Sequence, residues 1–121
     1  MYGKIENTHT DERRTLIPVF NHDLGDFLPN QVKILRVHQD CALGNHYHDY
    51  PELLYMVEGT GRTYLKHVDT GAQGEYLLVD GFRLFVPSRV AHKVNIVRDS
   101  ILLDCTQEPF TSDANIHKYN F

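Results

Sequence analysis

The sequence predicts an all-β domain, a sandwich or closed barrel of short antiparallel strands. Three observations carry that reading. Short β-rich apolar runs recur at spacings of roughly 8–12 residues. Gly, Asp and Pro stand between them as turn signals. No stretch shows a sustained helical period.

The elements follow in chain order. Residues 1–30 are polar and irregular, apart from Thr15 to Phe20 (TLIPVF). That run reads as an edge strand, because Pro18 cannot donate to a sheet ladder. Gln31 to His38 (QVKILRVH) is β-rich. Leu53 to Val57 (LLYMV) is a compact apolar run ending at Glu58-Gly59. Arg62 to Val68, Glu75 to Val79, Leu84 to Val86, His92 to Val97 and Ile101 to Cys105 continue the series. Asp80-Gly81 is a hairpin turn signal. The tail from Pro109 carries Phe110, Tyr119 and Phe121 without a clear period, and is expected to wrap the barrel or a partner.

At 121 residues the chain is one domain, with a barrel core near 31–107, an extension over 1–30 and a tail over 108–121. A net charge of −4 and a pI near 6.0 argue against nucleic acid, which favours a basic stripe. No apolar run reaches the ~18 residues of a spanning helix, so no membrane partner is expected. The start, MYGKIENTHTDERR, lacks an apolar signal region, and a cytoplasmic location is expected. Cys41 and Cys105 form no CxxC pair and read as reduced, structural thiols.

The chemistry concentrates in Gly44-Asn45-His46-Tyr47-His48-Asp49-Tyr50-Pro51-Glu52. On a strand, His46 and His48 lie on one face. Glu52 has the same parity and joins them if Pro51 leaves the register intact. His92 follows 40 residues later. Imidazoles converging with a carboxylate suit a divalent ion such as Zn, Fe, Mn or Ni. The same residues also suit a metal-free pocket in which they bond one another or a substrate.

In this pattern the sequence resembles the cupin superfamily. His46, His48, Glu52 and Gly59 fit its first motif, with Asp40 where the motif opens on glycine. Gly81, Pro87 and His92 fit the second, with Arg89 in place of its middle glycine and Ile96 in place of its asparagine. The resemblance covers roughly Gln31 to Gln107. It implies a double-stranded β-helix, the jelly-roll barrel, with a metal on His46, His48, Glu52 and His92. The departures put turn geometry in question rather than ligation. A weaker resemblance reaches further. Asp11-Glu12-Arg13, the Val32 to Val37 strand and the tail after Pro109 are similar to small cupins acting on nucleotide-linked sugars. Those include 3,4-ketoisomerases, which as a family use the HxH pair for proton transfer and need no metal.

Further candidates are read from strand parity. Arg36 and His38 share one face, either lining the barrel mouth for an anionic substrate or forming a solvent-facing edge. Arg62, Tyr64 and Lys66 share a face of the next strand. Tyr64 and His38 are the candidate proton-moving groups; Arg36, Arg62 and Lys66 are the candidate substrate-binding groups. A core tyrosine with a satisfied hydroxyl is the alternative for Tyr64.

Three functions are open. One is a metal-assisted isomerase or epimerase of a carbonyl-bearing, sugar-like molecule. Another is an Fe(II) dioxygenase. The third is a non-catalytic binding or sensor module. A small-molecule ligand is common to all three, and a homodimer is expected because small cupins commonly pair.

Overall fold

Alternating apolar residues and short turns resolve into strands throughout. The computed structural model describes residues 1–108 and 115–121, and contains no α-helix among them. The strands are β1 (Tyr2–Lys4), β2 (His9–Thr10), β3 (Thr15–Leu16), β4 (Gln31–Arg36), β5 (Cys41–His48) and β6 (Glu52–Glu58). They continue as β7 (Thr60–His67), β8 (Gln73–Val79), β9 (Phe82–Val86), β10 (Val90–Ile96), β11 (Ile101–Thr106) and β12 (Ile116–Lys118). Among the described residues no helix is long and apolar enough to cross a membrane.

Two five-stranded antiparallel sheets face each other, ordered β1-β9-β6-β11-β4 and β12-β5-β10-β7-β8. This is the cupin-type jelly roll. Their inner faces bury Leu54, Met56, Leu78, Leu84, Val86, Val94, Ile96 and Leu102 in one core. Full burial of such side chains contributes about 1.5–3 kcal/mol each relative to exposure. The outer face of the first sheet carries a second cluster, Leu53 and Cys105 with Phe27, against which Val19, Phe20 and Leu24 pack. The N-terminal extension therefore clads the barrel.

Several sequence expectations are revised. Thr15 to Phe20 is not a barrel edge strand. Only Thr15–Leu16 is extended, and it pairs with β2 in a separate two-stranded ribbon. Asp80-Gly81 does not close a hairpin: β8 pairs with β7, whereas β9 pairs with β1 and β6 in the other sheet. The turn is a corner, with Gly81 at φ 85°. The tail supplies β12, which extends the second sheet beside β5. Pro109 and Phe110 lie outside the described residues.

Gly59 occupies a position that only glycine fits. Its φ is 120°, and a Cβ there would stand 2.1 Å from Ser100 Oγ. Arg89 has a φ of 62°, the left-handed conformation that glycine would favour. Arg89 is held there by its surroundings. Its guanidinium pairs with Asp69 at 2.7 and 2.9 Å, and its backbone N–H donates to His48 O at 2.8 Å.

Candidate active site

The histidines are aimed inward by a β-bulge. Along β5, Cys41 and Leu43 face the core, so strict alternation would turn His46 and His48 outward. Instead Lys93 pairs with Gly44 and His92 with His46, leaving Asn45 as the extra residue. Gly44 at φ 92° and Asn45 at φ 58° form the kink. The bulge moves parity by one, and both imidazoles enter the barrel.

His92, on β10, lies directly across the ladder from His46. Ring centroids are 4.5 Å apart for His46 and His48, 4.7 Å for His46 and His92, and 5.1 Å for His48 and His92. One nitrogen from each ring lies within 4.8 Å of the others. Glu52 does not belong to the same strand as the HxH pair. It opens β6 in the facing sheet and reaches across, with Oε1 3.2 Å from His92 Nε2. It stands beside His92, outside the cluster formed by the three imidazoles, and the same-strand parity read from the sequence is not what brings it there.

A cavity of about 210 Å³ opens between the sheets here. His46 and His92 line one wall; Glu52, Asp104 and Lys33 line the other, with Leu35, Leu43, Leu54, Val94 and Leu102 between them. Lys33 Nζ stands 3.4 Å from Asp104 Oδ2. Among the described residues, Glu52 Oε1 and Asp104 Oδ1 are buried without a hydrogen-bond donor.

Burial sets the protonation of the site. Desolvation, then the neighbouring imidazoles, hold His48 down to about 3. Desolvation and His46 hold His92 at about 4. Burial also lowers His46. The imidazoles are therefore neutral near pH 7. Glu52 moves the other way: its complete burial, and then the adjacent Asp104 carboxyl, raise its pKa well above the usual carboxylate range. The tautomer of His92 follows from geometry. Its Nδ1 lies 3.2 Å from Val90 O, a carbonyl that can only accept, so Nδ1 carries the hydrogen. Nε2 then presents a lone pair toward Glu52 Oε1, and a proton or a cation between them would satisfy both.

The other sequence candidates stand outside this cavity. Arg36 and His38 are exposed, and β4 sends Lys33 and Leu35 inward instead. Arg62, Tyr64 and Lys66 lie on the outer face of the second sheet, where Arg62 pairs with Glu75 at 2.5 Å. Tyr64 and Lys66 border a surface depression with Phe121. Lys33 and Asp104 were not singled out from the sequence. The available signal was a lone acid at the inward-facing position of an apolar strand, Ile-Leu-Leu-Asp-Cys-Thr.

Neither a protein-family model nor a curated protein matches the sequence. Solved structures do match its fold. A TDP-fucose-3,4-ketoisomerase from Campylobacter jejuni superposes with a TM-score of 0.78 at 15% identity, covering 96% of this chain and 86% of that one. A 3'-monoepimerase from Streptomyces bikiniensis, in complex with dTDP-quinovose, gives 0.85 at 16% identity, covering 98% and 68%. A 3,4-ketoisomerase from Thermoanaerobacterium thermosaccharolyticum in complex with TDP gives 0.78 at 19% identity, covering 96% and 85%. At these identities the likeness is one of fold.

Proposed function

We propose that the chain is an isomerase or epimerase acting on a carbonyl-bearing, sugar-like small molecule. The observation that carries this reading is the pairing, in one small cavity, of neutral imidazoles with a carboxyl whose pKa is pushed up. Groups pushed apart in this way divide into base and acid. His46, half-buried and lining the cavity, is the base. It takes a proton from the carbon next to the carbonyl, and the C–H electron pair moves into the carbonyl to give an enolate. Glu52 supplies a hydrogen bond to the developing oxygen charge. A solvent-derived proton added to the opposite face of that carbon gives an epimer; where that carbon carries a hydroxyl, addition of the proton to the former carbonyl carbon, with the hydroxyl proton passing to the first oxygen, gives the isomeric ketone. The sugar isomerases and epimerases that share the fold support the substrate class.

The same residues fit a divalent ion. Three neutral imidazoles converge, and Glu52 Oε1 faces a bare His92 nitrogen, an arrangement that a cation satisfies. His46, His48, His92 and Glu52 would hold it, and the ion would polarise a carbonyl as a Lewis acid. The protein would still shape the cavity and set the orientation of the substrate through its opposite wall. An Fe(II) dioxygenase would use the same imidazoles, and a sensor would bind without turnover.

One experiment separates these readings. Protein treated with chelator, and protein loaded with Zn²⁺, Mn²⁺ or Fe²⁺, is mixed with TDP-4-keto-6-deoxyglucose. Products are followed by NMR and O₂ by electrode. Isomerised or epimerised sugar without O₂ uptake is expected. O₂ consumption with Fe²⁺ alone, or binding with no conversion under any condition, would contradict the proposal. Pairing of two copies belongs to the same proposal, supported by the exposed Val32 and Ile34 on edge strand β4. A monomer mass in light scattering would count against it.

A further inference from the structure

We infer that Asp104, held by Lys33, is the acceptor for a hydroxyl of the bound ligand and so selects the sugar moiety. The inference rests on the proposed function and adds residues that neither cupin motif contains.

The argument is a count of donors. Asp104 is 8% exposed and Glu52 3%, and both line the cavity. Among the described residues Lys33 pairs with Asp104 through Oδ2, at 3.4 Å. Asp104 Oδ1 and Glu52 Oε1 have no N–H or hydroxyl donor among the described residues, and the two carboxyls lie within hydrogen-bond reach of each other, where they share one proton at most. His92 Nε2, whose hydrogen is on the other nitrogen, also faces the cavity group Glu52 as an acceptor. Even if Glu52 carries a proton, that one hydrogen cannot serve both His92 Nε2 and Asp104 Oδ1. One buried acceptor remains unmatched, and without the proton the deficit is larger. A buried acceptor without a donor is costly, so the cavity favours a ligand that brings one. The walls around the acceptors, Leu35, Leu54 and Leu102, offer no hydrogen bond of their own. A hydroxyl fits this demand, whereas a second carboxylate or phosphate would face Asp104 unfavourably.

Size limits what enters. About 210 Å³ is below the ~300–1,000 Å³ of pockets that enclose a drug-sized ligand. A single sugar ring fits, and any nucleotide attached to it lies outside. Asp104 therefore reads the sugar and not the nucleotide. Lys33 is a positioning residue: by occupying Oδ2 it leaves Oδ1 turned to the cavity.

The test compares TDP-4-keto-6-deoxyglucose with TDP by titration calorimetry on the wild type, Asp104→Leu and Asp104→Asn. The wild type is expected to bind the sugar nucleotide more tightly than TDP. Asp104→Leu removes the acceptor at similar volume and should cut that preference by about 10- to 100-fold, leaving TDP affinity unchanged. Asp104→Asn keeps a neutral acceptor and should fall between the two; it carries the test if the leucine variant does not fold. An unchanged preference in both variants, or equal weakening of both ligands, would overturn the inference while leaving the proposed function standing. Failure of the wild type to bind either ligand would overturn the proposed function and the inference with it.

Discussion

Replacing Gly44 with alanine tests whether the bulge aims the histidines. Gly44 has φ 92°, and an added Cβ would lie 2.6 Å from His92 O and 3.2 Å from His92 Cδ2. Two costs add. The left-handed backbone costs an L-residue about 1–2 kcal/mol. Relieving an overlap with a paired strand's backbone costs about 1–3 kcal/mol more. The sum is about 3 kcal/mol, and a domain of this size should lose roughly 10–15 °C in Tm. Gly71 provides the control. Its φ is 77°, but an added Cβ there meets nothing within 4 Å. Gly71→Ala should therefore show only the backbone cost. Thermal unfolding of both variants reads the difference. Imidazole resonances of His46 and His92 should move in Gly44→Ala and stay in place in Gly71→Ala. Equal Tm losses with unmoved resonances in both would refute the role given to the bulge.

Three further outcomes follow from the same geometry. Stability should fall as pH drops below about 6.5, because unfolding lets His48 and His92 take up protons that burial denies them down to about 3 and about 4. Each imidazole gives a slope of up to about 1.4 kcal/mol per pH unit in that window. Glu52 opposes this with the reverse sign, since its raised pKa makes the folded state bind the extra proton. Urea unfolding at pH 7, 6 and 5 checks the net decline, and a flat profile would contradict it. At Arg89, Arg89→Gly should be more stable than Arg89→Ala by about 1 kcal/mol, because only glycine relieves the φ of 62°; equal midpoints in chemical denaturation would contradict the strain. The double variant His46→Ala, His92→Ala should lose bound Zn²⁺ in equilibrium dialysis yet keep a β-type far-ultraviolet spectrum, whereas full Zn²⁺ occupancy would exclude the imidazole site.

The sequence carried the fold where alternation was clean. The runs that became β6, β9, β10 and β11 were read within a few residues of their observed bounds. β1 and β12, three residues each, have no periodicity of their own and exist because they pair with longer neighbours. The His46, His48 and His92 cluster was legible through spacing and motif together. The bulge was not read, although Gly44-Asn45 is a sequence suited to it. Facing was the harder problem. On β4 both sides carry apolar residues, with Val32 and Ile34 exposed and Leu35 inside, followed by the buried Val37 just past its end. Pattern alone could not tell that Lys33, rather than Arg36 and His38, would turn toward the cavity. On β7 the inward positions include Gly61 and Thr63, both buried. The larger Arg62 and Tyr64 therefore looked like the functional face. In each case neighbours from the other sheet decide the burial, and a single strand's sequence does not contain them.

The central claim is proton transfer next to a carbonyl by His46. Solvent-deuterium exchange tests it most directly. The wild type and His46→Asn are each incubated with TDP-4-keto-6-deoxyglucose in D₂O, and the sugar is followed by proton NMR. The wild type should wash deuterium into a carbon adjacent to the carbonyl, with loss of that proton signal, and His46→Asn should slow the exchange by on the order of 100-fold or more. Exchange at equal rates in the two proteins, or none above the buffer control in the wild type, would contradict the account.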